Sequence, residues 1–183
     1  MYWFTADEHF GHGNVIKYCK RPFSSVEEMD ATLIANHNSV VGKRDITVHV
    51  GDFTLRNVDY AEGVIRQLKG QHIFVHAGHD YWFKKSKKYP MRQIWEKKIE
   101  DQYVVACHYA MRVWPRSHYG AWQVYGHSHG ELPPVGQQLD VGVDCHSFFP
   151  VPFEVIRGLI TGTYRGDRYG IPCPAFKLGE ENG

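Results

Sequence analysis

The chain has 183 residues, and its 21 lysines and arginines against 20 aspartates and glutamates leave a formal charge of +1. That length suits one domain with a real core. A balance so near neutral excludes a global field of the kind that draws a protein to nucleic acid or to an anionic membrane, and no apolar run approaches the ~20 residues that cross a bilayer. The four cysteines, Cys19, Cys107, Cys145 and Cys173, are scattered with no C-x-x-C pair. They read as free buried thiols of a reducing compartment. No basic region leads into an apolar one at the N-terminus, so the expected location is the cytoplasm.

In chain order, Met1 to Ala6 is a short apolar strand that runs straight into Asp7-Glu8-His9. Ser24-Ser25-Val26-Glu27-Glu28 has the form of a capping box, and Val26, Met29, Leu33 and Ile34 follow at helical spacing. Ile46 to Val50 is a strand ending at Gly51-Asp52. Tyr60, Val64, Ile65 and Leu68 mark a second helix, with Gly70 placed to stop it. His72 to Ala77 is a third strand, ending at Gly78-His79-Asp80, and Lys84 to Lys88 reads as a solvated loop. Gln102 to Cys107 is a strand ending at His108, and Trp122 to Tyr125 another, ending at Gly126-His127-Ser128-His129. Leu139 to Asp144 is the last expected strand and Phe153 to Ile160 the last expected helix. The expected division is one domain over 1–160 and a tail rich in Gly, Pro and charge over 161–183.

Ligand-type residues thus recur at the C-terminal ends of successive strands. That is where α/β sheets place their sites, because the loops there converge on one crevice. His127 and His129 lie two apart after an apolar run, so an extended strand end would point both imidazoles the same way. Carboxylate and imidazole without thiolate suit Mn, Fe, Zn or Ni rather than a structural thiolate zinc. A carboxylate such as Asp52 can bridge two cations. Two cations about 3.5–4 Å apart clamp a phosphoryl group and activate a water between them.

The order D-x-H, G-D, a G-N-H-D-like block, a lone His and G-H-x-H resembles the calcineurin-like metallophosphoesterases over roughly Met1 to Ile160. The small cap-less bacterial and phage members are most similar, through Asp7-Glu8-His9-Phe10-Gly11-His12 and Leu139-Asp140-Val141-Gly142-Val143-Asp144. The resemblance implies an α/β fold, a four-layer αββα sandwich of two mixed sheets flanked by helices. It implies two divalent cations, manganese first, with Fe, Zn or Ni as alternatives. Asp7, His9 and His129 would hold one, His108 and His127 the other, and Asp52 would bridge. A metal-bridging hydroxide would attack the phosphate ester, His79 would protonate the leaving group, and Asp80 would orient His79. His12, Asn14, Arg56 and Arg112 are candidates to face the substrate, with capping of a helix an equal role for Asn14.

One position departs from the pattern. Where the family carries an Asn ligand, this chain has Gly78, in Ala77-Gly78-His79-Asp80. Three accounts are open: water takes the vacant coordination position and the second site is weakened, which is the favoured one; His76 reaches in; or the chain is a poor catalyst. The expected function is a phosphoesterase that prefers diesters, acting on a small phosphate ester of nucleotide or cyclic-nucleotide type. An inactive metal-binding scaffold of the same fold is the alternative that Gly78 keeps open. A nuclease is a further alternative, against which the lack of a basic stripe counts. His37, His49, His72 and His146 read as structural or exposed, His118 as surface, and Asp140 and Asp144 as loop supports with a contact from one of them to a ligating His left open.

Overall fold

The apolar runs become two sheets. In the computed structural model, which describes residues 1–86, 88–133 and 135–164, the strands are β1 (Tyr2–Thr5), β2 (Ile46–Val50), β3 (Gln71–Val75), β4 (Met91–Arg92), β5 (Ile94–Ile99), β6 (Gln102–Cys107), β7 (Trp122–Tyr125), β8 (Gln138–Asp140) and β9 (Val151–Pro152). The first sheet runs β4-β3-β2-β1-β9, parallel except for β9, and the second runs β5-β6-β7-β8, parallel except for β5. Alternate residues of each face the other: Phe4, Val48, Val50 and Val75 from the first sheet share one buried core with Trp95, Val104, Ala106, Val124 and Leu139 from the second. This is the expected sandwich of two mixed sheets flanked by helices.

Helices α1 (Gly13–Tyr18), α2 (Val26–Val40) and α3 (Val58–Ile65) cover the far side of the first sheet. Val15, Met29, Leu33, Ala61, Val64 and Ile65 pack there with Phe74. The capping box at α2 forms: Ser25 Oγ accepts from the Glu28 amide at 3.1 Å, and Glu28 reaches back to the Ser24 amide at 2.7 Å. The buried stripe of α2 is Met29, Leu33 and His37, while Val26 and Ile34 are only half-buried. Asn57 caps α3 through the Tyr60 amide. Helix α4 (Phe153–Ile160) packs on β1, β8 and β9 and adds Phe153, Val155 and Ile156 to the inter-sheet core. On the outer face of the second sheet, buried Gln123 and Gln138 hold the loop after β6 through the backbone of Tyr109 and Met111.

Several elements differ from expectation. The strand expected over Leu139 to Asp144 stops at Asp140, and a 3-10 turn takes Val143–Cys145. Three strands and α1 were not expected. Strand β5 buries only Trp95 and Ile99 among charged neighbours, β4 and β9 have two residues each, and α1 has six. The two-residue strands and α1 are too short to show a period, and the charged run in β5 breaks its alternation. The tail expectation lies outside the described residues from 165 onward, as do Lys87 of the basic run and Cys173. The other three cysteines are free, as expected, with Cys107 buried and Cys19 and Cys145 half-buried. Among the described residues no helix is long and apolar enough to cross a membrane.

Candidate metal centre

Six ligand-type side chains gather beyond the C-terminal ends of β1, β2, β6 and β7. Asp7, His9 and His129 each offer one ligand atom within 4.8 Å of the others, and Asp52, His108 and His127 do the same. Asp52 stands between the groups, with Oδ2 3.6 Å from His9 Nε2 and 3.5 Å from His108 Nε2. These are the six residues singled out in the sequence.

The loops that carry them are bent unusually hard. Asp7, His9, Asp52, His127 and His129 all have left-handed backbones, with φ of 58°, 52°, 55°, 69° and 48°. Non-glycine residues pay about 1–3 kcal/mol each for such conformations and keep them only where the surroundings over-determine them. Here the surroundings do. The Asp7 amide donates to Gly51 O at 3.0 Å and the His9 amide to Asp52 O at 2.9 Å. The Asp7 carboxylate accepts from the His127 amide at 2.9 and 3.1 Å. Two glycines let the loops close this tightly: a Cβ on Gly51 would lie 2.4 Å from His108 Nδ1, and one on Gly126 would lie 2.6 Å from Asp7 Oδ2. The bending also corrects the strand-end expectation for His127 and His129. They leave the strand and part, one to each group.

The donor set fits divalent cations. Both ring nitrogens of His9, Asp52 Oδ1 and His108 Nε2 are buried without a hydrogen-bond partner among the described residues. Leaving such groups unsatisfied costs about 1–3 kcal/mol each, a cost that coordination would remove. His108 Nδ1 donates to Val50 O at 2.8 Å, so the neutral ring turns the lone pair of Nε2 toward Asp52. His129 Nδ1 donates to Asp144 Oδ2 at 2.6 Å. Asp144 is in turn gripped by Arg21 through Nε and Nη2, both at 2.7 Å, and Arg21 continues to the carbonyls of Asp7 and Glu8. Such outer partners orient metal ligands. Asp140 steadies the same loop by accepting from Ser128, Gly130 and Gly142. Nothing in the sequence marks Arg21 for this part.

Burial dominates the electrostatics. It pushes the Asp7 carboxyl up to about 7, against the pull of His108 and His129. It pushes His9 down to about 3, which keeps that ring neutral and ready to donate a lone pair. For His108 burial works downward, but the neighbouring Asp52 and Asp7 outweigh it and raise the ring to about 9. Without a cation these carboxylates therefore favour the charged form of His108, and a cation must displace that proton.

The remaining candidates lie around this centre unevenly. His79 is exposed at the rim with its ring 6.3 Å from that of His9, and His12 is 5.4 Å from His9 on another side. Asp80 is fully buried. Its carboxylate accepts from the amides of Asp52, Phe53, Thr54 and Ala77 and from the Trp82 indole, so it braces the Asp52 loop. No hydrogen bond joins it to the His79 ring among the described residues. Asn14 is exposed inside α1, whose N-cap is His12. Arg56 and Arg112 are exposed, and Arg56 lies over the Tyr60 ring. Gly78 is exposed, and a Cβ there would meet nothing within 4 Å except Tyr109 Oη at 3.6 Å. His76 belongs to neither ligand group, and its ring stacks on Phe83. His49, expected to be structural, is buried: Nδ1 meets Glu8 Oε1 at 2.5 Å and Nε2 meets His72 Nδ1 at 3.1 Å.

No protein-family model matches the chain. The uncharacterized protein MJ1445 of Methanocaldococcus jannaschii is 32% identical over 167 residues, spanning 86% of this chain and 90% of that one. The chain belongs to the same family as that archaeal protein. Its ordered ligand blocks and its paired mixed sheets resemble those of the calcineurin-like metallophosphoesterases. A protein of unknown function from Aquifex aeolicus, AQ665, shares the fold at a TM-score of 0.69 and 19% identity, covering 87% of this chain and 99% of that one. A protein of Streptococcus pneumoniae described as a predicted phosphoesterase is more distant, at a TM-score of 0.42 and 15% identity over 77% of this chain and 70% of that one. Gly78 offers no side chain at the position where the resemblance expects an Asn ligand.

Proposed function

We propose that the chain is a metal-dependent phosphoesterase with a two-cation centre, acting preferentially on small phosphodiesters of nucleotide or cyclic-nucleotide type. The reading is carried by one observation: two ligand groups share the neighbourhood of Asp52 and bury imidazole and carboxylate atoms that have no protein partner. Asp7, His9 and His129 would hold one divalent cation and His108 and His127 the other, with Asp52 common to both. Manganese is the first choice, with iron, zinc and nickel as alternatives. When bound, such cations neutralise phosphoryl charge and acidify water.

The chain's own residues account for the rest. Burial keeps His9 neutral, so it competes for a cation without first losing a proton. Asp144 and Arg21 hold His129 in one orientation. His79, which is exposed, would protonate a departing oxygen, which matters most for a poorly stabilised alkoxide. The mouth is lined by exposed His79, Gly78 and His127, which suits a phosphate bearing two substituents.

The test is manganese-dependent hydrolysis of bis(p-nitrophenyl) phosphate by this chain beside Gly78→Asn. Turnover by the unaltered chain supports the reading and makes the missing amide dispensable. Turnover by the Asn variant alone identifies a centre disabled at one ligand. A second reading, a metal-binding scaffold, is favoured by Gly78. Silence of both proteins while each still binds manganese replaces the esterase with that scaffold.

A further inference from the structure

The missing side chain at residue 78 opens a cavity. A cleft of about 480 Å³ lies directly beside the second ligand group, with His108 in its wall and Gly78 at its lip. A site of that size accommodates an ordinary small molecule. Its other walls are apolar and aromatic. Tyr81, Tyr109 and Ile94 line it at 65%, 47% and 40% exposure, respectively. Tyr109 is fixed edge-on against His108 and His127, with ring centroids 4.9 and 4.8 Å away. On the opposite wall, Phe83 is stacked on His76 at 4.7 Å. One cation, Lys84, reaches over the face of Tyr81 at 5.1 Å. Exposed apolar and aromatic groups gathered along one cleft mark a ligand-binding groove. A side chain on residue 78 would project toward Tyr109 and narrow the entrance.

We infer that this cleft receives the aromatic arm of the ester, a nucleobase or other flat ring, while the phosphate sits over the metal centre. The inference rests on the phosphoesterase reading and names its substrate class: phosphodiesters with at least one aromatic arm. Gly78 then trades a metal ligand for room. Restoring Asn at this position should tighten manganese binding and weaken recognition of the ring.

Equilibrium binding tests this without turnover. Calorimetric titration of the manganese-loaded chain with AMP, ribose 5-phosphate, inorganic phosphate and adenosine separates ring from phosphate. The expected result is AMP bound about tenfold more tightly than ribose 5-phosphate, the scale of one base stacked on an aromatic side chain. Tyr81→Ala, a change at an exposed ring, should erase that difference and leave inorganic phosphate unchanged. Equal binding of AMP and ribose 5-phosphate by the unaltered chain overturns the inference, as does an AMP preference that survives Tyr81→Ala. Adenosine binding that is lost in Tyr81→Ala, with no binding of inorganic phosphate, supports the cleft and overturns the phosphoesterase reading instead.

Discussion

Replacing Asp144 by Asn tests whether the centre is held from behind. The Arg21 side chain is fully buried and that of Asp144 only 10% exposed, and they meet through two bonds of 2.7 Å. Breaking a buried pair from one side typically costs 3–5 kcal/mol. Arg21 keeps its bonds to the carbonyls of Asp7 and Glu8, which puts the expected loss at the lower end, about 3 kcal/mol. For a chain of this size that lowers Tm by about 6–12 °C. The same change strips His129 Nδ1 of its carboxylate, and losing such a partner weakens metal binding by about 10- to 100-fold. Differential scanning calorimetry of the metal-free protein and manganese titration of the folded protein read the two effects separately. A Tm within about 2 °C of the unaltered chain, together with unchanged manganese affinity, would refute the argument.

Other changes probe other parts. Asp52→Asn should abolish hydrolysis and lower metal content together; full activity with reduced metal would remove Asp52 from the bridging position. Gly126→Ala places a methyl 2.6 Å from both Asp7 Oδ2 and Ala6 Cβ. It should cost about 1–3 kcal/mol in urea denaturation, and a cost near zero would mean the loop relaxes freely. Burial pushes His37 to about 4 and His49 and His72 to about 3. Folding thus binds fewer of their protons than the open chain does, and the stability they lend is present above about pH 6.5 and lost as pH falls toward 4. Glu8, raised by burial to about 8, works the other way, its contribution lost as pH rises through 8. His9 is depressed in the same way and Asp7 raised in the same way as Glu8, so four imidazoles against two carboxyls predict a urea midpoint that drops between pH 7 and pH 5; a flat or rising midpoint contradicts this. Chelation should lower Tm, and manganese at about 100 times its dissociation constant should add ~2.7 kcal/mol. A Tm indifferent to both would argue against a preformed site.

The ligands were legible because each stands beside a strand of ordinary apolar character: Asp7 after Phe4-Thr5-Ala6, Asp52 after Val50-Gly51, His108 after Ala106-Cys107. What the sequence hides is the machinery that aims them. Arg21 follows no pattern, and only the folded chain brings it from 123 residues away to Asp144. The resemblance made Asp80 a partner for His79, and no spacing in the sequence shows that its carboxylate accepts from the amides of a loop 26–28 residues earlier. Alternation places side chains on strands but says nothing of left-handed turns, so the spacing alone set His127 and His129 on one side, and only the resemblance assigned them to different cations. Strand β5 was missed because Glu96, Lys97 and Lys98 face solvent at the edge of the sheet.

Each ligand group draws on both sheets: Asp7, His9 and Asp52 follow strands of the first, and His108, His127 and His129 follow strands of the second. The chain passes from β4 of one sheet to β5 of the other through Gln93 alone. Gln93 lines the same cleft as His108, so bound cations would tie the two sheets together beside the residue that joins them. Removing the cations would then loosen the sheets against each other at that end, and amide exchange at the C-terminal ends of β1, β2, β6 and β7 would quicken.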